Sequence, residues 1–141
     1  DTTFDRTTWR ELIAAFPHTP VELLARAVKD LLADTHDAGT LRYIIDGRRH
    51  AALGFYTASL DGMRKALFPE MSEAFTRFRE SGDWGGIDRA LRAVRQRASR
   101  HAAVLTEAYE RGAAEGDLPG AEAEIEERLL APLGLRGKEE G

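Results

Sequence analysis

The chain has 141 residues and a mass of 15.6 kDa, with 43% hydrophobic residues, 31% charged residues and no cysteine. A chain of this length buries roughly 68–70% of its unfolded surface, so it needs neither disulfides nor a structural metal to fold. The net charge of −4 argues against binding to nucleic acid by bulk electrostatics, and the lack of cysteine excludes thiol nucleophiles and iron–sulfur clusters. No apolar run approaches the roughly 18 residues of a membrane span, so we expect no membrane partner, and the missing cysteines lead us to expect a cytoplasmic protein.

Helix formers dominate the sequence, and valine and isoleucine together number only nine, which predicts an all-α bundle of five or six helices. Two segments have the form of a capping box, in which a threonine and a glutamate satisfy the first free N–H groups of a helix. The two boxes are Thr8-Trp9-Arg10-Glu11 and Thr19-Pro20-Val21-Glu22. They predict helices over 8–16 and 20–34, of which the first ends before Pro17.

The middle of the chain predicts one long helix over 40–68. Its apolar residues keep a 3.6-residue period from Leu41 to Leu67, and the loop before it offers Asp37 or Thr40 as a cap. Glycine inside a helix costs near 1 kcal/mol relative to alanine, so a kink or break at one of the glycines is the alternative. Gly47 and Gly62 are the positions where we expect such a break.

Three further helices are predicted in the second half of the chain, over 69–81, 86–115 and 121–131. Gly82 and Gly116 suit the left-handed position after a helix, and the segment 117–120 is predicted to form a turn. The helix over 86–115 has the strongest pattern, a narrow apolar stripe that runs for eight turns. We expect a single domain over 1–133 and a flexible tail over 134–141.

Five arginines fall within twelve residues of the 86–115 helix, namely Arg89, Arg92, Arg95, Arg97 and Arg100. A cluster of this kind can bind phosphates, but at 100° per residue these side chains surround the helix and form no single stripe. Acidic residues elsewhere outnumber them. We therefore favour a solvated face with intramolecular salt bridges, and we expect no direct binding of nucleic acid by this segment.

The histidines give no strong indication of a metal site. None pairs with another at the i, i+3 or i, i+4 spacing that places two ligands on one metal. Asp46 and His50 have i, i+4 spacing, for which a surface ion pair is favoured over a metal site completed by His101. His101 itself lies at the edge of the apolar stripe, as a core histidine or as a pocket-lining group. No metal, cofactor or catalytic residue is predicted, since no recognised catalytic motif is present.

The inner face of the predicted 40–68 helix carries the candidate binding residues. Arg48 and Ser59 project onto the same face as the apolar side chains, and a buried guanidinium without a partner costs several kcal/mol. Arg48 is therefore expected to meet an acidic residue or to anchor an anion in a pocket. The residues predicted to line that pocket are Trp9, Tyr43, Arg48, Phe55, Tyr56, Ser59, Met63 and His101. Aromatic spacing of this kind also fits a plain core.

The last two predicted helices resemble the C-terminal part of TetR-type transcriptional regulators. The likeness lies in Ala108-Tyr109-Glu110-Arg111-Gly112 through Gly116-Asp117-Leu118-Pro119, followed by Arg128-Leu129-Leu130-Ala131-Pro132-Leu133. Leu41-Arg42-Tyr43-Ile44-Ile45 is similar to an earlier helix of the same effector-binding domain. The resemblance implies a ligand pocket between helices and a homodimer formed through 86–115 and 121–131.

The helix-turn-helix of TetR-type proteins is not recognisable here, so the resemblance implies either a separate effector domain or a stand-alone helical protein. We expect a non-enzymatic domain that senses a small apolar or weakly acidic molecule and takes part in transcription regulation. One alternative is a helical interaction subunit without a pocket. The other is a helical-bundle enzyme or metal-binding protein.

Overall fold

The computed structural model describes residues 6–135, and within them every regular element is helical. The elements are α1 (Arg6–Ala15), α2 (Pro20–Thr35), α3 (Thr40–Asp46), α4 (His50–Ser59), α5 (Gly62–Leu67), α6 (Pro69–Ser81), α7 (Trp84–Glu115) and α8 (Leu118–Ile125). A π-helical turn, Glu126–Leu130, and a 3-10 turn, Ala131–Leu133, follow α8. The all-α class is confirmed, and the count of five or six helices is wrong because the described residues contain eight α-helical segments.

The chain divides into two compact units. Unit 1 comprises Asp1–Val28 and Arg100–Gly141, and unit 2 comprises Lys29–Ser99. The boundaries fall within α2 and α7, so each of these helices contributes residues to both units. The single domain over 1–133 stays a prediction, and most of the predicted tail, residues 136–141, lies outside the described residues.

Unit 1 has an apolar core supplied by α1, the start of α2, the second half of α7, and α8. Its fully buried side chains include Leu12, Phe16, Leu24, Leu105 and Ile125. Phe16 meets Tyr109 edge to face, with ring centroids 6.4 Å apart. The apolar stripe predicted for α7 is therefore used inside the chain.

Unit 2 is held together by polar links as well as by its core. The guanidinium of Arg97 donates to both carboxylate oxygens of Glu70 and to the Leu67 carbonyl, which ties α7 to the α5–α6 junction. Arg95 donates to the Leu32 carbonyl and to the Thr35 hydroxyl, 3.2 Å away in each case, at the end of α2. Free carbonyls at two helix ends are thereby satisfied.

The capping box predicted at the start of α2 forms in a modified way, because its glutamate accepts from the residue before the threonine cap. The Glu22 N–H donates to Thr19 Oγ1 over 3.3 Å, and Glu22 accepts from the His18 N–H at 2.7 Å, which confirms the start of α2. Helix α1 begins at Arg6, so Thr8 lies inside the helix and the predicted start at residue 8 is wrong.

None of the helices within 6–135 combines the length and apolarity of a membrane-spanning segment.

The single helix predicted over 40–68 is wrong, because the segment forms α3, α4 and α5. Helix α3 ends before Gly47, and Arg48 adopts a left-handed backbone with φ 51°, which a right-handed helix cannot accommodate. The second break comes at Leu60 and Asp61, whose backbone is extended. Both breaks fall beside the glycines that the sequence identified as weak points.

The boundaries of the last three helices test the helix starts and ends that the sequence predicts. Helix α6 matches its predicted range, and Gly82 and Gly116 have the expected positive φ of 71° and 68°. Asp83 caps α7, since its carboxylate accepts from the Gly85 N–H over 2.9 Å. The turn predicted over 117–120 is wrong: Asp117 caps α8 by accepting from the Gly120 N–H, so the helix begins three residues before the predicted start at 121.

Candidate functional site

The turn between α3 and α4 places two adjacent arginines on the surface of unit 2. The N–H groups of Gly47, Arg48 and Arg49 donate to the carbonyls of Tyr43, Ile45 and Ile44 over 3.0–3.1 Å. The last carbonyls of α3 are satisfied by these bonds. A residue other than glycine at positive φ is strained by about 1–2 kcal/mol, so Arg48 occupies a position where glycine would fit better.

The first groove of this surface lies beside α3 and has a volume of about 460 Å3. It is lined by Asp37, Ala38, Gly39, Arg42, Tyr43, Asp46, Gly47 and Arg49. The guanidinium of Arg49 lies 4.3 Å from the centroid of the Tyr43 ring, which is itself 61% exposed. This distance is typical of a cation–π contact.

The second groove adjoins the first, because Arg42 and Asp46 line both. It has a volume of about 470 Å3 and extends to the start of α7. The residues that it adds are Ile45, Arg48, Trp84, Gly85 and Asp88. The guanidinium carbon of Arg48 lies 5.8 Å from the Trp84 ring, so the second groove repeats the arginine-over-aromatic arrangement of the first.

The acidic residues of the grooves are largely neutralised by Arg42 and Arg92. Arg42 donates to Asp88 over 2.7 Å and to Asp46 over 3.4 Å, and Arg92 donates to Asp88 over 3.1 Å. Burial alone would raise the pKa of Asp88, but these two arginines hold that pKa below its usual value. Within the described residues, the guanidinium groups of Arg48 and Arg49 contact aromatic rings and no carboxylate.

A second polar arrangement joins α2, α4 and α5. The Tyr56 hydroxyl, on a side chain that is buried, donates to Asp34 Oδ2 over 2.9 Å. Arg64 donates to Ser59 Oγ over 3.4 Å, while its buried Nε has no hydrogen-bond partner among the described atoms. Burial raises the pKa of the Asp34 carboxyl, although Tyr56 and Arg64 act in the opposite direction.

The structure separates the predicted pocket residues into several places. Tyr43 and Arg48 line the grooves, while Tyr56 and Ser59 belong to the polar arrangement beside Arg64. Met63 is half-buried in α5. Trp9, which is buried, and His101, which is half-buried, belong to unit 1.

The shared inner face predicted for the 40–68 helix is wrong in three of its members. Phe55 is 78% exposed, and Arg48 and Ser59 are also exposed. The reason is the left-handed residue in the α3–α4 turn, which changes the chain direction and invalidates a projection at 100° per residue. The predicted burial of Leu41, Ile45 and Tyr56 is confirmed.

Sequence reasoning missed Arg42, Gly47, Arg49 and Trp84 as members of the site. Gly47 gave a usable signal, since glycine just after a short helix predicts a helix end and places the next residues in a turn. Trp84 gave none, because its approach to Arg48 depends on tertiary structure.

The predicted ion pair between Asp46 and His50 is wrong. Asp46 pairs with Arg42, and the His50 ring packs against Phe78 and Trp84, with centroids 5.2 and 5.4 Å away. In the range 6–135, no group of three acidic or histidine side chains is arranged to hold a metal ion.

Three of the five arginines that the sequence groups in α7 make salt bridges within the chain, as predicted for part of the cluster. Arg89, Arg92 and Arg97 pair with Asp83, Asp88 and Glu70 respectively.

The fold and the surface therefore define a helical domain with two adjoining, arginine-lined grooves. The chain belongs to the DUF6866 family: the model described as "Family of unknown function (DUF6866) C-terminal domain" matches residues 1–130. No curated protein and no solved structure matches the chain.

Proposed function

We propose that this chain is a non-enzymatic regulatory domain that binds a small, mostly apolar or weakly acidic molecule at the grooves beside α3. The observation that carries the proposal is the repeated placement of an exposed guanidinium over an aromatic ring, in Arg49–Tyr43 and Arg48–Trp84. A few oriented polar groups beside apolar surface, in a cavity of some hundreds of Å3, are typical of small-molecule sites. A role in transcription regulation rests on the TetR-like sequence of α7 and α8, and a cytoplasmic location on the absence of cysteine.

The strained backbone of Arg48 supports a functional rather than a structural role for its side chain. Glycine would relieve the strain, and the guanidinium of Arg48 contributes a contact with Trp84 but no ion pair among the described residues. Strained residues gather at ligand sites because binding, and not stability, determines the side chain there.

Ligand binding would act on the position of α3. This helix is short, and its Arg42 reaches Asp88 at the start of α7 over 2.7 Å. A ligand that binds more tightly to one placement of α3 and its turn shifts the protein toward that placement by the difference in affinity. The first half of α7 would then transmit the change to an attached domain or a partner.

A thermal-shift screen against small organic acids and apolar metabolites tests the proposal, with titration calorimetry on each compound that raises the Tm. A ligand at one hundred times its Kd adds about 2.7 kcal/mol to stability, which raises the Tm by several degrees. We expect Arg48→Gly to fold and to bind at least tenfold more weakly. His18→Gly is the matched control, because His18 is the other described residue with positive φ outside glycine and lies in unit 1.

Two outcomes would contradict the proposal. One is a screen in which no compound raises the Tm. The other is a ligand whose affinity is the same in Arg48→Gly as in the unmodified chain.

Homodimerisation through α7 and α8 is part of the same proposal. Many apolar residues of both helices are already buried in the single chain, including Leu105, Ala108 and Ile125. A dimer would therefore have to use polar faces, such as the one where Arg111 pairs with Glu124 over 2.6 Å. Sedimentation equilibrium with and without Glu124→Arg tests it, since a dimer built on this face should dissociate in the variant.

The second candidate is a protein-interaction domain, which one observation favours. Tyr43 and Phe55 are 61% and 78% exposed, and large exposed aromatic side chains are enriched at protein interfaces. Under this alternative Phe55→Ser would abolish partner binding without changing the Tm response to any small molecule.

A further inference from the structure

The Tyr43–Arg49 pair has the properties of a preformed carboxylate receptor. We propose that the first groove binds a planar aromatic carboxylic acid, with the acid group on the edge of the Arg49 guanidinium. The inference rests on the proposed function and names the ligand class of the same surface.

Gly47 leaves the space that the Arg49 side chain occupies. A Cβ atom at residue 47 would lie 2.7 Å from Arg49 Nε and 3.2 Å from its Cγ and Cζ, so the arginine passes directly over the space that glycine leaves empty. The guanidinium thereby reaches its place 4.3 Å from the centroid of the Tyr43 ring. Holding the side chain in one orientation before binding reduces the entropy that a ligand must overcome.

The Arg49 guanidinium is exposed and forms no hydrogen bond or ion pair with the described residues, so its N–H donors are open to a ligand. The N–H donors of arginine lie in the guanidinium plane, in a fork that matches the two oxygens of a carboxylate. The nearby carbonyls of Tyr43, Ile44 and Ile45 already accept from backbone N–H groups of the turn, so they do not compete for these donors. Bidentate, charge-assisted bonds of this kind are about twice as strong as neutral ones.

The walls of the groove favour a ligand that contains an aromatic ring. The Tyr43 ring presents a largely exposed apolar surface beside the guanidinium, and the volume of about 460 Å3 exceeds what a small aliphatic acid fills. A carboxylate joined directly to a ring is coplanar with it, which suits a receptor whose donors also lie in one plane. Arg42 satisfies Asp46, whereas Asp37 adds a negative charge to the same groove and weakens binding of an anion.

The experiment is an NMR titration of the chain with sodium benzoate at low ionic strength, with benzamide and sodium acetate as comparison probes. We expect benzoate to shift the amide signals of residues 37–49, benzamide to bind about tenfold more weakly because it lacks the charge, and acetate to bind more weakly because it lacks the ring. Asp37→Asn should strengthen benzoate binding about twofold.

Three variants separate the receptor from a general effect of charge. Arg49→Lys keeps the charge and loses the planar fork, so we expect about tenfold weaker binding of benzoate. Gly47→Ala displaces the Arg49 side chain, so the binding of benzoate should weaken. Residue 47 has a φ of −89°, which alanine adopts without strain, so the Tm should stay the same or rise. Arg77→Lys is the control, since Arg77 is an exposed arginine of unit 2 that pairs with Glu73 in α6.

The outcomes distinguish this inference from the proposed function. Equal binding of benzamide and benzoate, full affinity in Arg49→Lys, or no benzoate binding at all would overturn the aromatic acid as ligand. A neutral compound that binds the grooves with Arg48 dependence would then leave the regulatory proposal standing. Benzoate binding that depends on Arg49, without any stabilising metabolite in the wider screen, would support the receptor and contradict the regulatory role.

Discussion

Tyr56 and Asp34 link the middle of α4 to the end of α2 through a hydrogen bond of 2.9 Å between the hydroxyl and the carboxylate. The segment between them contains all of α3 and every residue that lines the first groove. The bond therefore closes the part of the chain on which the candidate site is built. Both side chains are largely removed from water. If one of them is lost, water therefore cannot fully replace it as the hydrogen-bond partner of the other.

Tyr56→Phe is expected to destabilise the protein by about 1–2 kcal/mol, because it leaves the Asp34 carboxylate without its donor in a partly buried place. Urea unfolding at pH 7, followed by circular dichroism, measures the change. Tyr109→Phe is the matched control: the Tyr109 ring keeps its edge-to-face contact with Phe16, so we expect a change below about 0.5 kcal/mol. Equal losses in the two variants would contradict a specific role for the Tyr56 hydroxyl.

Asp34→Asn is expected to be more stable relative to the unmodified chain at pH 7 than at pH 3.5. Burial raises the pKa of Asp34, with Asp30 acting in the same direction and Tyr56 and Arg64 opposing it. A carboxyl whose pKa is raised in the folded state contributes full stability below its usual value of 3.8, and that contribution is lost as pH rises through the folded pKa. Asparagine keeps an oxygen that accepts from Tyr56 and removes the titration.

The measurement is the difference in free energy of unfolding between Asp34→Asn and the unmodified chain across this pH range. The difference should increase in favour of the variant as pH rises. A difference that stays constant, or that decreases, would show that ionised Asp34 is not penalised in the folded protein.

The parts of the fold that could be predicted are those where local chemistry marks a boundary. Pro69 and Gly82 bracket α6, and its predicted range agrees with the structure. The division of 40–68 could not be predicted from periodicity, because the 3.6-residue period of apolar residues in the sequence continues across the turn at 47–49. Apolar residues before and after it therefore fit one stripe, although they lie on separate helices.

The sequence predicts only part of the candidate site, because the rest depends on contacts between distant residues or on the shape of a turn. Tyr43 is predicted from its residue type and Arg48 from its projection onto the inner face of the predicted 40–68 helix, and both line the grooves. Their partners could not be identified, since the contact between Arg48 and Trp84 joins residues 36 positions apart and the contact between Arg49 and Tyr43 needs the bare surface of Gly47. The predicted burial of Arg48 failed because a helical projection cannot include a left-handed residue.

Arg97→Ala is expected to destabilise the protein by about 2 kcal/mol at pH 7, because it removes a bidentate pair with Glu70 and a bond to the Leu67 carbonyl. Hydrogen bonding from Arg97 holds the pKa of Glu70 below its usual value of 4.5. A depressed pKa contributes stability above the usual value and loses it as pH falls through the folded pKa, so the effect of the substitution should decrease in acid.

Unfolding in urea at pH 7 and at pH 3 measures both expectations for Arg97. Arg92→Ala serves as the control on the same helix, since its side chain is 70% exposed and it pairs with Asp88 at i, i−4, which is worth less than about 0.5 kcal/mol. A loss in Arg97→Ala no greater than in Arg92→Ala would mean that the Glu70 pair is an ordinary surface ion pair.

Gly112→Ala and Gly54→Ala are expected to change stability in opposite directions, although both replace a glycine inside a helix. A Cβ atom at Gly112 would lie 2.7 Å from the Ala121 Cβ and 2.9 Å from the Asp117 carbonyl oxygen, so α7 and α8 must separate, at a cost of about 1–3 kcal/mol. At Gly54 the nearest atom is the Cζ of Phe75 at 3.8 Å, so alanine fits and adds about 0.5–1 kcal/mol through its higher helix propensity. Thermal unfolding of the two variants beside the unmodified chain decides the matter, because a gain in Gly112→Ala would show that the close approach of α7 and α8 does not require glycine.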